Sequence, residues 1–91
     1  MTLDEKLKNI QARYENGNIS SYEKETEELE MRFNSDELRK TDEYQLNKIR
    51  IEKEYGKLSD LEYDMRAAEI LYKNSSEKER SIAYLDVQRK H

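Results

Sequence analysis

Glu54-Tyr55-Gly56-Lys57-Leu58-Ser59-Asp60-Leu61-Glu62-Tyr63 decides how this chain folds, because a version of it occurs twice. The earlier copy reads Tyr14-Glu15-Asn16-Gly17-Asn18-Ile19-Ser20-Ser21-Tyr22-Glu23, and Gly17 and Gly56 are the only glycines in a chain without proline. Glycine two residues before Ile or Leu suits the φ > 0 position that ends a helix. The serine that follows is a good N-cap, and a Glu three places later completes a capping box. Each copy therefore spells helix, tight turn, helix, with Ile19 or Leu58 as an apolar pin at the corner.

The segments around the two turns carry helical periodicity. Thr2 with Glu5 forms a capping-box pair for a first helix, in which Leu3, Leu7, Ile10 and Tyr14 fall on one face. Tyr22, Thr26, Leu29 and Phe33 repeat that spacing in a second helix capped by Ser20. Asn34-Ser35-Asp36 interrupts the pattern with residues whose side chains compete for nearby backbone groups, which predicts a break or kink. A third helix is expected from about Asp36 to Tyr55, with two apolar stripes, Tyr44-Ile51-Tyr55 and Leu46-Ile49, and hence contact on more than one side. Ser59 caps a fourth helix with Leu61, Met65, Ala68 and Tyr72 in register; after Asn74-Ser75-Ser76 a last helix carries Ile82, Leu85 and Val87. The expected fold is all-α: two successive helical hairpins linked by a longer central helix, as an elongated or coiled-coil-like bundle.

Alignment on the glycines sets Tyr22 against Leu61, Glu23 against Glu62 and Phe33 against Tyr72, an offset of 39 residues. The segment from Leu46 to Tyr55 matches that from Ile82 to His91 at an offset of 36. Such periods belong to helical-hairpin arrays, and the expectation is one domain over residues 1–91 with an internal repeat at about 10–48 and 49–87. His91 falls where Tyr55 precedes its glycine, the expectation for a piece of a longer repeat protein.

Composition agrees with thin helical packing. Leu, Ile, Val, Met and Phe together number 20 of 91 residues, while charged residues make up 42%. So few apolar side chains suit buried stripes better than a spherical core, and small helical units often complete their cores by oligomerising. Residues 1–46 hold 12 acidic and 7 basic side chains, whereas residues 47–91 hold 9 and 10. No concentrated basic patch of the kind that binds phosphates is present. Cysteine is absent, and no apolar run approaches the roughly 20 residues of a membrane span. No hydrophobic leader is visible, and the expected setting is the cytoplasm.

Chemistry-bearing patterns are sparse. His91 is the only histidine, and Ser20 and Ser59 are explained as caps. Carboxylate pairs such as Glu23/Glu27 and Asp60/Asp64 are one turn apart on highly charged helices and read as solvated faces. Asn16-Gly17-Asn18 is too short for a calcium loop, and no phosphate-cradling glycine loop exists. Neither catalysis nor a cofactor nor a metal is expected. The seven tyrosines are spread along the helices; some, interleaved with Lys48, Arg50, Lys53 and Lys57, could stack bases, but wet-edged helical interfaces are the favoured reading.

The stretch from Tyr55 to Asp64, preceded by Ile49-Arg50-Ile51-Glu52, resembles small helical-repeat proteins of large tailed bacteriophages, which carry YGKIS-type turns between amphipathic helices. The resemblance covers residues 10–91. Leu7 to Leu29 is also similar to a short helical hairpin appended to many bacterial proteins for oligomerisation. That module's G-x-I-(S/T)-x-x-E-(F/Y) order is kept by Gly56 to Tyr63, but Tyr22 precedes Glu23 in the first copy. Neither family supplies an active site. Together these readings predict a non-enzymatic protein–protein interaction module, an adaptor or structural component of a phage that self-associates. Leu46, Ile49 and Ile51 are the expected seam, with Phe33, Tyr44 and Tyr55 at its edges or on a partner surface. Two alternatives are an inhibitor of a host defence or transcription enzyme acting through the acidic run Glu23–Glu30, and weak nucleic-acid binding by the second half.

Overall fold

Both glycine turns take the conformation their residues demand. In the computed structural model, which describes all residues 1–91, Gly17 has φ 78° and Gly56 φ 75°, and no other residue has positive φ. Gly17 N–H donates to Tyr14 O and Asn18 N–H to Arg13 O; Gly56 N–H donates to Lys53 O and Lys57 N–H to Glu52 O. This paired pattern closes a helix C-terminus with two otherwise orphaned carbonyls satisfied. The next helices open with full capping boxes, Ser20 with Glu23 and Ser59 with Glu62.

Six helices result: α1 (Leu3–Glu15), α2 (Ser21–Arg32), α3 (Asp36–Arg39), α4 (Asp42–Glu54), α5 (Asp60–Leu71) and α6 (Glu77–Lys90). The chain is all-α, as expected, and its two hairpins are α1–α2 and α4–α5. The helix expected from Asp36 to Tyr55 is divided. Thr41 is the reason: it adopts extended backbone, accepts from Tyr44 N–H and donates its hydroxyl to Leu38 O. Its side chain thus ends the short α3 and starts α4, which at 13 residues equals α1 in length. Arg39 on α3 closes α2 by donating to Phe33 O at 2.8 Å and pairing with Glu30 at 2.9 Å. Caps recur 39 residues apart, at Thr2 and Thr41 and at Ser20 and Ser59. Residues 10 and 49, the expected starts of the two copies, lie within α1 and α4.

The helices form an open row. α1 packs on α2, α2 on α4, α4 on α5 and α5 on α6, with α3 against α4 and tied to the end of α2 through Arg39. Neighbours run antiparallel: Glu30 meets Tyr44 while Tyr22 meets Tyr55, and Asp42 meets Lys73 while Lys53 meets Asp60. The molecule measures 48 × 27 × 13 Å, so it is one helix thick. Its radius of gyration of 16.2 Å exceeds the roughly 12 Å of a compact chain of this length. Only seven residues are buried: Ile10, Leu29, Tyr44, Ile49, Ile51, Leu58 and Ala68.

Candidate interaction surface

The two stripes of α4 face opposite neighbours. Tyr44 and Ile51 form a cluster with Leu29 of α2, and Tyr22 and Phe33 pack against it. Phe33 and Tyr44 lie with ring centroids 5.5 Å apart, and Tyr22 meets Tyr55 edge-on at 5.7 Å. Ile49 lies on the other side, lining a groove with Glu52 of α4 and Arg66 and Ile70 of α5. Leu46 is half-buried. Of the six residues singled out in the sequence, Phe33, Tyr44 and Ile51 therefore come together, and Ile49 stands apart from them. Ile51 is only 4% exposed, and removing its side chain would open the α2–α4 joint.

Tyrosine hydroxyls finish this joint. Tyr44 donates to Glu30 Oε1 at 2.9 Å; burial, and then the Glu30 carboxylate, raise its pKa above the ordinary tyrosine value. Tyr55 is 38% exposed, and the Glu25 carboxylate beside it is the main cause of its raised pKa. Tyr44 keeps the proton that the Glu30 carboxylate accepts.

The acidic run of α2 is engaged within the chain. Glu27 pairs with Arg13, Glu28 with Lys24 and Arg32, and Glu30 with Arg39. Glu23 serves the capping box, while Oε2 of Glu25 is buried without a hydrogen-bond partner. His91 is also tied down: its Nε2 donates to Asp64 Oδ2 at 2.6 Å, with Lys90 at 3.4 Å. The His91 hydrogen bond leads the causes that lower the Asp64 pKa. No group of three or more His, Cys, Asp or Glu residues is arranged to hold a metal ion, and no helix is long and apolar enough to cross a membrane.

Exposed apolar side chains concentrate towards the C-terminal end. Leu71 is 61% exposed, Ile82 50% and Leu85 49%, with Leu61 and Tyr72 also exposed. α6, the last helix expected to carry Ile82, Leu85 and Val87, contains no buried residue. Val87 is five residues from Ile82 and lines a groove with Ala68 and Ala83, whereas Ile82 lines an adjoining one with Tyr72 and Leu85 lines neither. In the sequence Leu71 flanks the stripe of Leu61, Met65, Ala68 and Tyr72, and in the structure it stays exposed. Compared with protein-family models, curated proteins and solved structures, the chain matches none.

Proposed function

We infer that this chain is a protein–protein interaction module without catalytic activity, which self-associates as an adaptor or structural component. One observation carries the reading: a layer one helix thick leaves Leu71, Ile82 and Leu85 of its C-terminal helices about half exposed or more. A domain normally needs two packed layers to bury its apolar faces. Contiguous exposed apolar surface on a soluble chain marks an interaction site. The resemblance of the Tyr55–Asp64 turn to helical-repeat proteins of tailed phages supports a phage origin and action in the host cytoplasm. Sedimentation equilibrium of the full chain tests the reading. A mass that rises with concentration above the 11.0 kDa of one chain is expected, and a strict monomer throughout would overturn self-association.

A further inference from the structure

The two hairpin joints of the row are copies of one another. Lys6, Asn9, Ile10 and Arg13 of α1 line a groove with Glu27 and Met31 of α2. Gln45, Lys48, Ile49 and Glu52 of α4 line another with Arg66 and Ile70 of α5, in the same positions 39 residues later. An ion pair crosses each joint with its signs exchanged: Arg13 meets Glu27 at 3.0 Å, and Glu52 meets Arg66 at 3.8 Å. At the centre Ile10 is 3% exposed and Ile49 7%, because an antiparallel helix covers each.

α6 stands to α5 as α4 stands to α2. Ala68, Leu71, Ala83 and Val87 line the α5–α6 groove in the places of Leu29, Arg32, Asn47 and Ile51 between α2 and α4, with offsets of 39 in the first helix and 36 in the second. The place of Ile49 is then held by Leu85 and that of Leu46 by Ile82, yet Leu85 is 49% exposed and Ile82 50%. Lys78, Ser81, Ile82, Gln88 and Arg89 all fall within about 60° of Leu85 around the helix. The acids of α6 lie off this face: Asp86 and Glu79 line grooves next to α5, and Glu77 flanks the first turn. Lys90 is turned to Asp64.

We propose that this outer face of α6 docks an amphipathic helix of a partner protein, antiparallel to α6 and acidic at both ends. The inference rests on the interaction-module reading above and names a foreign partner for one exposed face. Two observations select the occupant. A helix is what covers the same face of α1 and of α4, with Met31 or Ile70 beside the central isoleucine, so the partner carries a side chain of that size over Leu85. Charge sets its ends. On α4, Asp42 pairs with Lys73 and Lys53 with Asp60, at opposite ends of α5. On α6 those places hold Lys78 and Arg89, both exposed and neither paired within the chain. An acid opposite each completes the match, and Gln88, in the place of Glu52, asks for no charge between them. A second copy fits poorly. Its α2 and α5 already cover α1 and α4, and an antiparallel pair of α6 helices would set Lys78 against Arg89 at both ends.

Nuclear magnetic resonance titration of the isotope-labelled full chain tests the face. The probe is a synthetic peptide of residues 57–73, the α5 arm of the second hairpin, carrying Lys73→Glu. Saturable shifts are expected at the α6 amides around Leu85. Leu85→Glu in the full chain should abolish them while circular dichroism stays helical, since that side chain is half exposed. Lys78→Glu should weaken binding of this peptide by roughly threefold at low salt and turn the preference to the peptide with native Lys73. No shifts up to millimolar peptide would overturn the docking face, as would shifts centred on Ile49 from displacement of the chain's own α5. An unchanged preference in Lys78→Glu would overturn the acidic ends. Shifts caused by phosphatidylglycerol vesicles but not by the peptide would overturn the helix in favour of a lipid surface. Sedimentation of the same chains without peptide separates this inference from self-association. Peptide binding by a chain that sediments as a monomer would uphold the docking face and overturn self-association alone. Self-association that Leu85→Glu abolishes would overturn the foreign partner and assign the face to a second copy.

Discussion

Replacing Gly56 with alanine isolates the turn on which the second hairpin depends. Gly56 sits at φ 75°, and a Cβ built there meets nothing within 4 Å. Lost packing and steric collision with neighbours are therefore both absent, leaving the backbone conformation as the cost. A left-handed L-residue is disfavoured by about 1–2 kcal/mol. Alanine also restricts the unfolded chain, which at a compatible site would stabilise by about 0.4–1 kcal/mol and here offsets part of the strain. The net expectation is a loss of about 1 kcal/mol, or roughly 4–8 °C in Tm for a domain of this size. Thermal unfolding followed at 222 nm, with wild type and variant at the same protein concentration, reads this. Gly17→Ala should behave alike, since its φ is 78° and its surroundings are equally open. Gly56→Asn should lose less, because asparagine tolerates the left-handed region. An unchanged Tm in both alanine variants would refute the assignment of these glycines as the corners of the fold.

Three further outcomes follow from the packing. Ile51→Ala, at a position 4% exposed in the Leu29–Tyr44 cluster, should cost about 2–3 kcal/mol in chemical denaturation, at the low end for buried isoleucine because a single layer relaxes around the gap. Asp64, whose pKa is lowered chiefly by the His91 hydrogen bond, contributes stability above the unfolded carboxylate value of 3.8 and loses it as pH falls through the lower folded value. Asp64→Asn should thus be less stable than wild type at neutral pH, with the gap closing only in strong acid, as acid melts would record. Tyr44 and Tyr55 give the opposite limb: their raised values mean a contribution present below pH 10.0 and lost as pH rises through the folded values, so Tyr44→Phe and Tyr55→Phe should each remove tyrosinate absorbance that develops above pH 10.0.

What the linear order of residues determined here is local. Helices begin at Thr2, Ser20 and Ser59 and turn at Gly17 and Gly56 because caps and left-handed glycines act within a few residues of themselves. The two stripes of α4 were likewise legible, since 3.6-residue periodicity is written in the chain, and they face α2 and α5. Thr41 escaped notice because a lone threonine is a weak signal beside Asn34-Ser35-Asp36; its hydroxyl acts as a cap only once Leu38 and Tyr44 are in place. The remainder belongs to the tertiary structure. Whether Ile82 and Leu85 are core or surface depends on the direction from which α5 approaches α6, and periodicity contains no information about that direction. The same holds for the two grooves. Glu28 and Ala67 differ plainly in the sequence, but only the packing of α2 on α4 and of α5 on α6 shows that each lines a groove between neighbouring helices.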